Sequence, residues 1–320
     1  MPDRRSAYPR LLAEQGLPAP DAATMDALRD IVDEGVLGAS NHVALALPLV
    51  VTTAEAPRPT ARDEALALAG FISATRGAGA PIVANALAWL TEGVADLPRE
   101  AAAARLRQRA GQWDALAKAR RARLIARAAQ ALRDRRAPLI YDYSSTVADV
   151  VRALAGQSGL DRLVIPESRA IDGGRRYMQA LADLGVPILF LPDAALEQAA
   201  ARSDVVLLGA ESVTRDGGVV NTVGSVLAAR AAQARGVPAY GAADLFKVGH
   251  VAAAEMPPFA PRRYDFVLAE GETAETEAQE LEIVPPALIE AILTEEGPLA
   301  PARIARATAA AGAAPAKVDA

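Results

Sequence analysis

At 320 residues, 52% of them hydrophobic and 23% charged, the chain has the balance of a globular protein with one large core or two ordinary ones. Its formal charge of −5 argues against a protein that coats nucleic acid, whose affinity rests on a net basic surface. Cysteine is absent, which excludes disulfides, thiolate metal sites and a cysteine nucleophile together.

The first stretch, residues 1–136, is rich in Ala, Leu and Arg at helical spacing and is expected to form an α-helical domain. Its longest apolar run, Val43 to Val51, falls short of the roughly 20 residues a bilayer requires. The opening Met1-Pro2-Asp3-Arg4-Arg5 carries no apolar signal segment, so no membrane association and a cytoplasmic location are expected. From Arg105 to Arg136 a predicted helix carries many basic residues and only Asp114 and Asp134 as acids. A patch for RNA or an acidic partner is one reading. A solvated helix face is the favoured one, since Leu106, Trp113, Leu116, Leu124 and Leu132 supply an apolar stripe for packing.

From Pro138 the pattern changes. Strand candidates appear at Leu139–Tyr143, Arg162–Pro166, Pro187–Leu191, Val205–Leu208, Pro238–Gly241 and Phe266–Leu268. Helical stretches such as Thr146–Ala155, Arg175–Leu184 and Val223–Ala234 lie between them. Such alternation implies βαβ units and a parallel sheet, because parallel neighbours need a crossover. The expected fold class is α/β: an N-terminal α-helical domain, then a doubly wound, mostly parallel Rossmann-like domain over 137–299, with a disordered tail over 300–320.

In such sheets ligands sit beyond the carboxyl ends of the strands, where helix N-termini offer free N–H groups. After the first strand stand Tyr143-Ser144-Ser145-Thr146, hydroxyls fit for a helix cap or a phosphate cradle. After the fourth stand Gly209-Ala210-Glu211, then Asp216-Gly217-Gly218 and Asn221-Thr222. Lys247 follows the fifth. No dinucleotide fingerprint or Walker loop is present, and His42 and His250 have no paired spacing, so neither a cofactor nor a metal is expected.

The strings Ile165-Pro-Glu-Ser-Arg169, Val205-Val-Leu-Leu-Gly-Ala-Glu211, Gly217-Gly-Val-Val-Asn221 and Val223-Gly-Ser225 resemble the initiation factor 2B alpha/beta/delta subunit family in order and spacing. That family includes ribose-1,5-bisphosphate isomerase and methylthioribose-1-phosphate isomerase. Ala242-Ala-Asp-Leu-Phe-Lys247 and Leu293-Thr-Glu-Glu-Gly297 extend the match, and Thr75-Arg76, Asn85-Ala-Leu87 and Gly38-Ala39-Ser40 resemble its helical half more loosely.

The resemblance implies a site for a phosphorylated sugar or nucleotide, with Arg76 and Lys247 on phosphate, Ser144 and Ser145 in a phosphate loop, and Asn221 on the sugar. Gly38 and Ala39 form its turn near the start. It also implies a homodimer, or dimers stacked into a hexamer. Two positions depart from the family's cysteine and aspartate catalytic pair, read here as Tyr143 and Glu211. A phenol near pKa 10 is poorly placed for a thiol's work at neutral pH. The leading expectation is therefore a binding protein without the family's catalytic pair. One alternative is an aldose-1-phosphate to ketose isomerase using Glu211 with Tyr143 or Asp142. The other is a translation-factor-like interaction module.

Overall fold

A computed structural model describes residues 8–14, 16–18, 21–33, 39–264, 273–275, 277–304, 306 and 307. The strand expected at Phe266–Leu268, and Gly38, lie outside them. The chain divides into two compact units. One comprises 1–119, 246–250 and 306–320, the other 120–245 and 251–305.

The first unit is helical: α1 (Tyr8–Glu14), α2 (Ala22–Val32), α3 (Ala39–Glu55), α4 (Ala61–Gly79), α5 (Pro81–Thr91) and the start of α6 (Arg99–Ala131). Asp21 caps α2, its carboxylate accepting the Thr24 N–H at 2.8 Å. Pro81 opens α5 at a position where its missing N–H costs nothing. Ile82, Val83, Ala86, Leu87 and Leu90 bury most of that helix against Val43, Leu47 and Ile72. Leu106 and Trp113 of α6 join the same core, as the apolar stripe requires.

The second unit holds a seven-stranded sheet. Its strands are β1 (Pro138–Tyr141), β2 (Leu163–Pro166), β3 (Ile188–Leu191), β4 (Val205–Leu208), β7 (Ala239–Ala242), β11 (Ala291–Thr294) and β12 (Gly297–Leu299), in the order β12-β11-β7-β4-β1-β2-β3. All pair in parallel except β12 on β11. The crossover helices are α7 (Ser145–Ser158), α8 (Gly173–Leu181), α9 (Leu196–Ala200) and α10 (Ser225–Ala234). β1, β2 and β4 are buried at every position, which is why they read as continuous apolar runs. A three-stranded antiparallel sheet, β10 (Leu281–Val284), β6 (Val219–Thr222) and β5 (Ser212–Val213), stands beside a ribbon of β8 (Pro261–Arg263) and β9 (Glu277–Gln279). The stretch from Ala300 opens with a short 3-10 turn, and Ile304 is buried.

The fold class is the expected one, a helical region followed by a doubly wound, mostly parallel sheet. Among the described residues no helix is long and apolar enough to cross a membrane. Several basic residues of α6 and its end bond within the chain itself. Arg107 pairs with Glu55, Arg121 with Asp149, and Arg120 with Glu295. Arg109, Arg127, Arg135 and Arg136 donate to the carbonyls of Trp89, Glu296, Asp204 and Gly159.

Candidate functional site at the carboxyl edge of β1 and β4

β1, β2 and β3 step outward on one side, and β4 returns to the other side of β1. The gap beyond the carboxyl ends of β1 and β4 is thus the switch point, where open α/β sheets take their ligands.

Immediately after β1, Asp142 adopts a left-handed backbone, φ 57°, as do Ser168 and Asp172 beyond β2 at 48° and 55°. Each such non-glycine residue costs about 1–2 kcal/mol, and three at one sheet edge make a strained rim of the kind that functional sites hold. That backbone turns the Asp142 carboxyl inward. Its Oδ2 accepts from Thr222 Oγ1 at 2.6 Å. Its Oδ1 accepts from the Tyr143 N–H at 2.8 Å and, more weakly, from Ser168 Oγ at 3.4 Å. Asp142, Ser168 and Thr222 are all buried. A side chain at Gly173 would come within 2.5 Å of Asp142 Oδ1, so only glycine closes this wall.

Burial pushes the Asp142 carboxyl above its ordinary value and the Glu211 carboxylate raises it further, while the Thr222, Tyr143 and Ser168 hydrogen bonds hold it back. Glu211 is itself exposed, one residue before β5, its N–H bonded to the Val220 carbonyl at 2.9 Å.

Tyr143 is half-buried and lies on Tyr177, ring centres 5.2 Å apart. Ser144 does two jobs: its N–H donates to the Tyr177 hydroxyl at 3.0 Å, and its Oγ caps α7 by accepting the Val147 N–H. Ser145, the first residue of α7, is exposed. Gly209, at the end of β4, abuts Ser144 so closely that a Cβ would stand 2.5 Å from the serine Cβ. Asn221 lies inside strand β6, not in a loop, and its Nδ2 donates to Ser225 Oγ at 3.0 Å. Tyr143, Ser144, Ser145, Glu211 and Asn221 therefore all belong to the sheet unit.

Arg76, Lys247 and Ala39 belong to the helical unit instead. Arg76 is half-buried in the last turn of α4, and its Nε donates to His42 Nδ1 at 3.0 Å. Lys247 is half-buried in a short 3-10 turn, and Ala39 opens α3. Among the described residues no group of three His, Cys, Asp or Glu side chains gathers as a metal site would require.

The Initiation factor 2 subunit family matches residues 72–301. The chain belongs to that family. It is 30% identical to ribose 1,5-bisphosphate isomerase of Haloferax volcanii over 182 residues, 55% of this chain and 56% of that protein. The match spans about half the length of such curated relatives. Among solved structures, the translation initiation factor eIF-2B of Pyrococcus horikoshii OT3 superimposes with a TM-score of 0.72 at 20% identity, covering 89% of this chain and 99% of that one. The 5-methylthioribose 1-phosphate isomerase of the same organism gives 0.65 at 17%, covering 90% and 88%. These two likenesses bear on the fold. For this family member, which of Asp142 and Tyr143 turns inward depends on a positive φ, and the one sequence signal for it was aspartate's tolerance of that region.

Proposed function

We propose that this family member binds a phosphorylated aldose at the β1/β4 switch point and isomerises it to the ketose, with Asp142 and Glu211 as its acid and base. The reading is carried by the pair itself: the Asp142 carboxyl, buried at the end of β1 and raised above its ordinary value by burial, under the influence of the exposed Glu211 carboxylate. A buried carboxyl with raised proton affinity, acting with a second carboxylate, is one way a site supplies acid and base together.

The chemistry balances with these two groups. Opening the sugar ring breaks the bond from C1 to the ring oxygen, which takes a proton from the Asp142 carboxyl. The C2 hydroxyl gives its proton to Glu211 as C2 becomes the carbonyl carbon, and the hydrogen of C2 moves with its bonding electron pair to C1, replacing the bond that C1 lost to the ring oxygen. Phosphate stays on the C1 oxygen. Ser144, Ser145 and the N-terminus of α7 are suited to hold a phosphate, since backbone N–H groups there favour an anion.

A second reading, binding without turnover, draws on the three hydrogen bonds that already engage Asp142. Incubation with ribose 1,5-bisphosphate, followed by carbon NMR for a new C2 carbonyl, separates the two. Turnover that falls about a hundredfold or more in Glu211→Gln, with binding retained, is the expected result. Saturable binding without any carbonyl product sinks the isomerase reading and leaves the sensor. Self-association into dimers or a hexamer is part of the proposal, and light-scattering mass tests it.

A further inference from the structure

We propose that the helical unit carries a site for a free α-amino acid with an apolar side chain. Asp21 takes its ammonium, Arg58 its carboxylate, and leucines of the first four helices its side chain. The site is independent of the isomerase reading and stands or falls apart from it.

The cavity follows from how these helices meet. α1 gives way to Gly16, whose φ of 70° lets the chain turn back, and the Leu17 N–H bonds to the Leu12 carbonyl at 2.9 Å. Leu12 and Leu17 then join Leu28 of α2, Leu49 of α3 and Leu68 of α4 around a space of about 260 Å³. Four of these leucines are buried and Leu49 is half-buried. A cavity of ~150 Å³ admits a benzene-sized molecule, whereas drug-sized ligands fill ~300–1,000 Å³, so the volume suits an occupant between the two.

Two charged groups of opposite sign share the lining with the leucines. Asp21 caps α2 through one oxygen only, its Oδ1 accepting the Thr24 N–H at 2.8 Å. That bond holds its carboxyl below the ordinary value, so the group is anionic at neutral pH, and Oδ2 is left to meet a cation. Arg58 is anchored by Glu64, which is buried and stands outside the lining. Arg58 Nε and Nη2 donate to Glu64 Oε2 at 3.2 and 2.6 Å, and Thr60 Oγ1 donates to Glu64 Oε1 at 2.6 Å. The pair uses two of the three guanidinium nitrogens, so Nη1 is left to meet an anion.

Volume, floor and charges together define the ligand. A plain hydrocarbon would leave both charged groups unanswered beside apolar surface, and a simple amine or carboxylate would leave one of them so. A zwitterion answers both. An α-amino acid joins its two charges to a single side chain, and only an apolar one enters the leucine floor without a desolvation cost.

Calorimetric titration of the full chain tests this, with L-leucine as the probe. Leucine should bind at one site per chain. Isocaproate lacks the ammonium and isoamylamine lacks the carboxylate, so each should bind about tenfold or more weakly, and glycine should not bind detectably. Asp21→Ser keeps a helix cap but removes the charge, and should lower leucine affinity about tenfold with the melting temperature little changed. Ala56→Leu adds bulk to another lining residue and should weaken binding as well. Photo-leucine, the diazirine analogue, should crosslink to residues of α1 to α4, located by mass spectrometry. Four results would each overturn the site: no leucine binding, isocaproate or isoamylamine binding as tightly as leucine, unchanged affinity in folded Asp21→Ser and Ala56→Leu, or crosslinks confined to the rest of the chain.

Discussion

Thr222 Oγ1 lies 2.6 Å from Asp142 Oδ2, joining the end of β6 to the residue that follows β1. The bond runs between two buried side chains, so the proton state of Asp142 bears on stability as well as on chemistry. The folded-state value is raised, so between the unfolded and folded values the native chain binds more protons than the unfolded one. Its contribution is therefore fully present below about pH 4, the unfolded carboxyl value, and is lost as pH rises through the folded one. Asp142→Asn removes the titration and keeps an oxygen for the Tyr143 N–H. Its melting temperature should exceed the parent's at pH 8, by about 2–4 °C per kcal/mol, and the gap should close toward pH 4. Glu282 and Glu295, also raised, are common to both proteins and cancel. A gap that is constant with pH would refute a raised Asp142.

The pair Arg120–Glu295 makes a second prediction. Both side chains are buried, and Glu295 also accepts the Leu245 N–H at 3.1 Å, fixing the start of the turn that leads to Lys247. Burial raises the Glu295 carboxyl and Arg120 pulls it back. Arg120→Met leaves that carboxylate without its cation and should cost about 3–5 kcal/mol. Arg120→Met with Glu295→Gln should recover much of it, because the glutamine can still accept from Leu245. Urea midpoints of the two single variants and the double variant decide the matter. Additive losses would mean the two groups do not act as a pair.

The basic helix makes a third. Several of its arginines are engaged with carboxylates and carbonyls of the same chain, and Arg105, Lys118 and Arg123 are among its exposed cations. Binding to a random RNA oligomer should be undetectable at 150 mM salt by fluorescence anisotropy. Micromolar affinity with a steep salt slope would revive the basic face as a functional surface.

Much of this was legible in sequence for a physical reason. β1, β2 and β4 are buried on both faces, so each shows as an unbroken apolar run. β6 was not legible. Val219-Val-Asn-Thr222 carries two polar residues that are buried because tertiary bonds to Ser225 and Asp142 satisfy them, and local composition reads them as a loop. β11, as long as β1, and the three-residue β12 are hidden by the Pro- and Glu-rich stretch around them. Asp142 needed its φ.

Gly209 gives the last prediction. It is buried at the end of β4, and a Cβ there would meet Ser144 Cβ at 2.5 Å and Oγ at 2.9 Å. Ser144 has little freedom to yield, since its N–H is bound to the Tyr177 hydroxyl and its Oγ caps α7. Gly209→Ala should therefore cost about 1–3 kcal/mol by overpacking. It should also raise KM for ribose 1,5-bisphosphate, because the added methyl displaces the start of the helix whose N–H groups would face the phosphate. Gly156→Ala provides the contrast. It sits within α7 with nothing within 4 Å of its added Cβ, and alanine there should stabilise the helix by about 0.5–1 kcal/mol with KM unchanged. Urea midpoints separate the two glycines by sign, and KM separates a blocked crevice from a merely weakened fold. If Gly209→Ala matched the parent in both measurements, the β4 end would not border the ligand, and the site would have to lie elsewhere along the sheet edge.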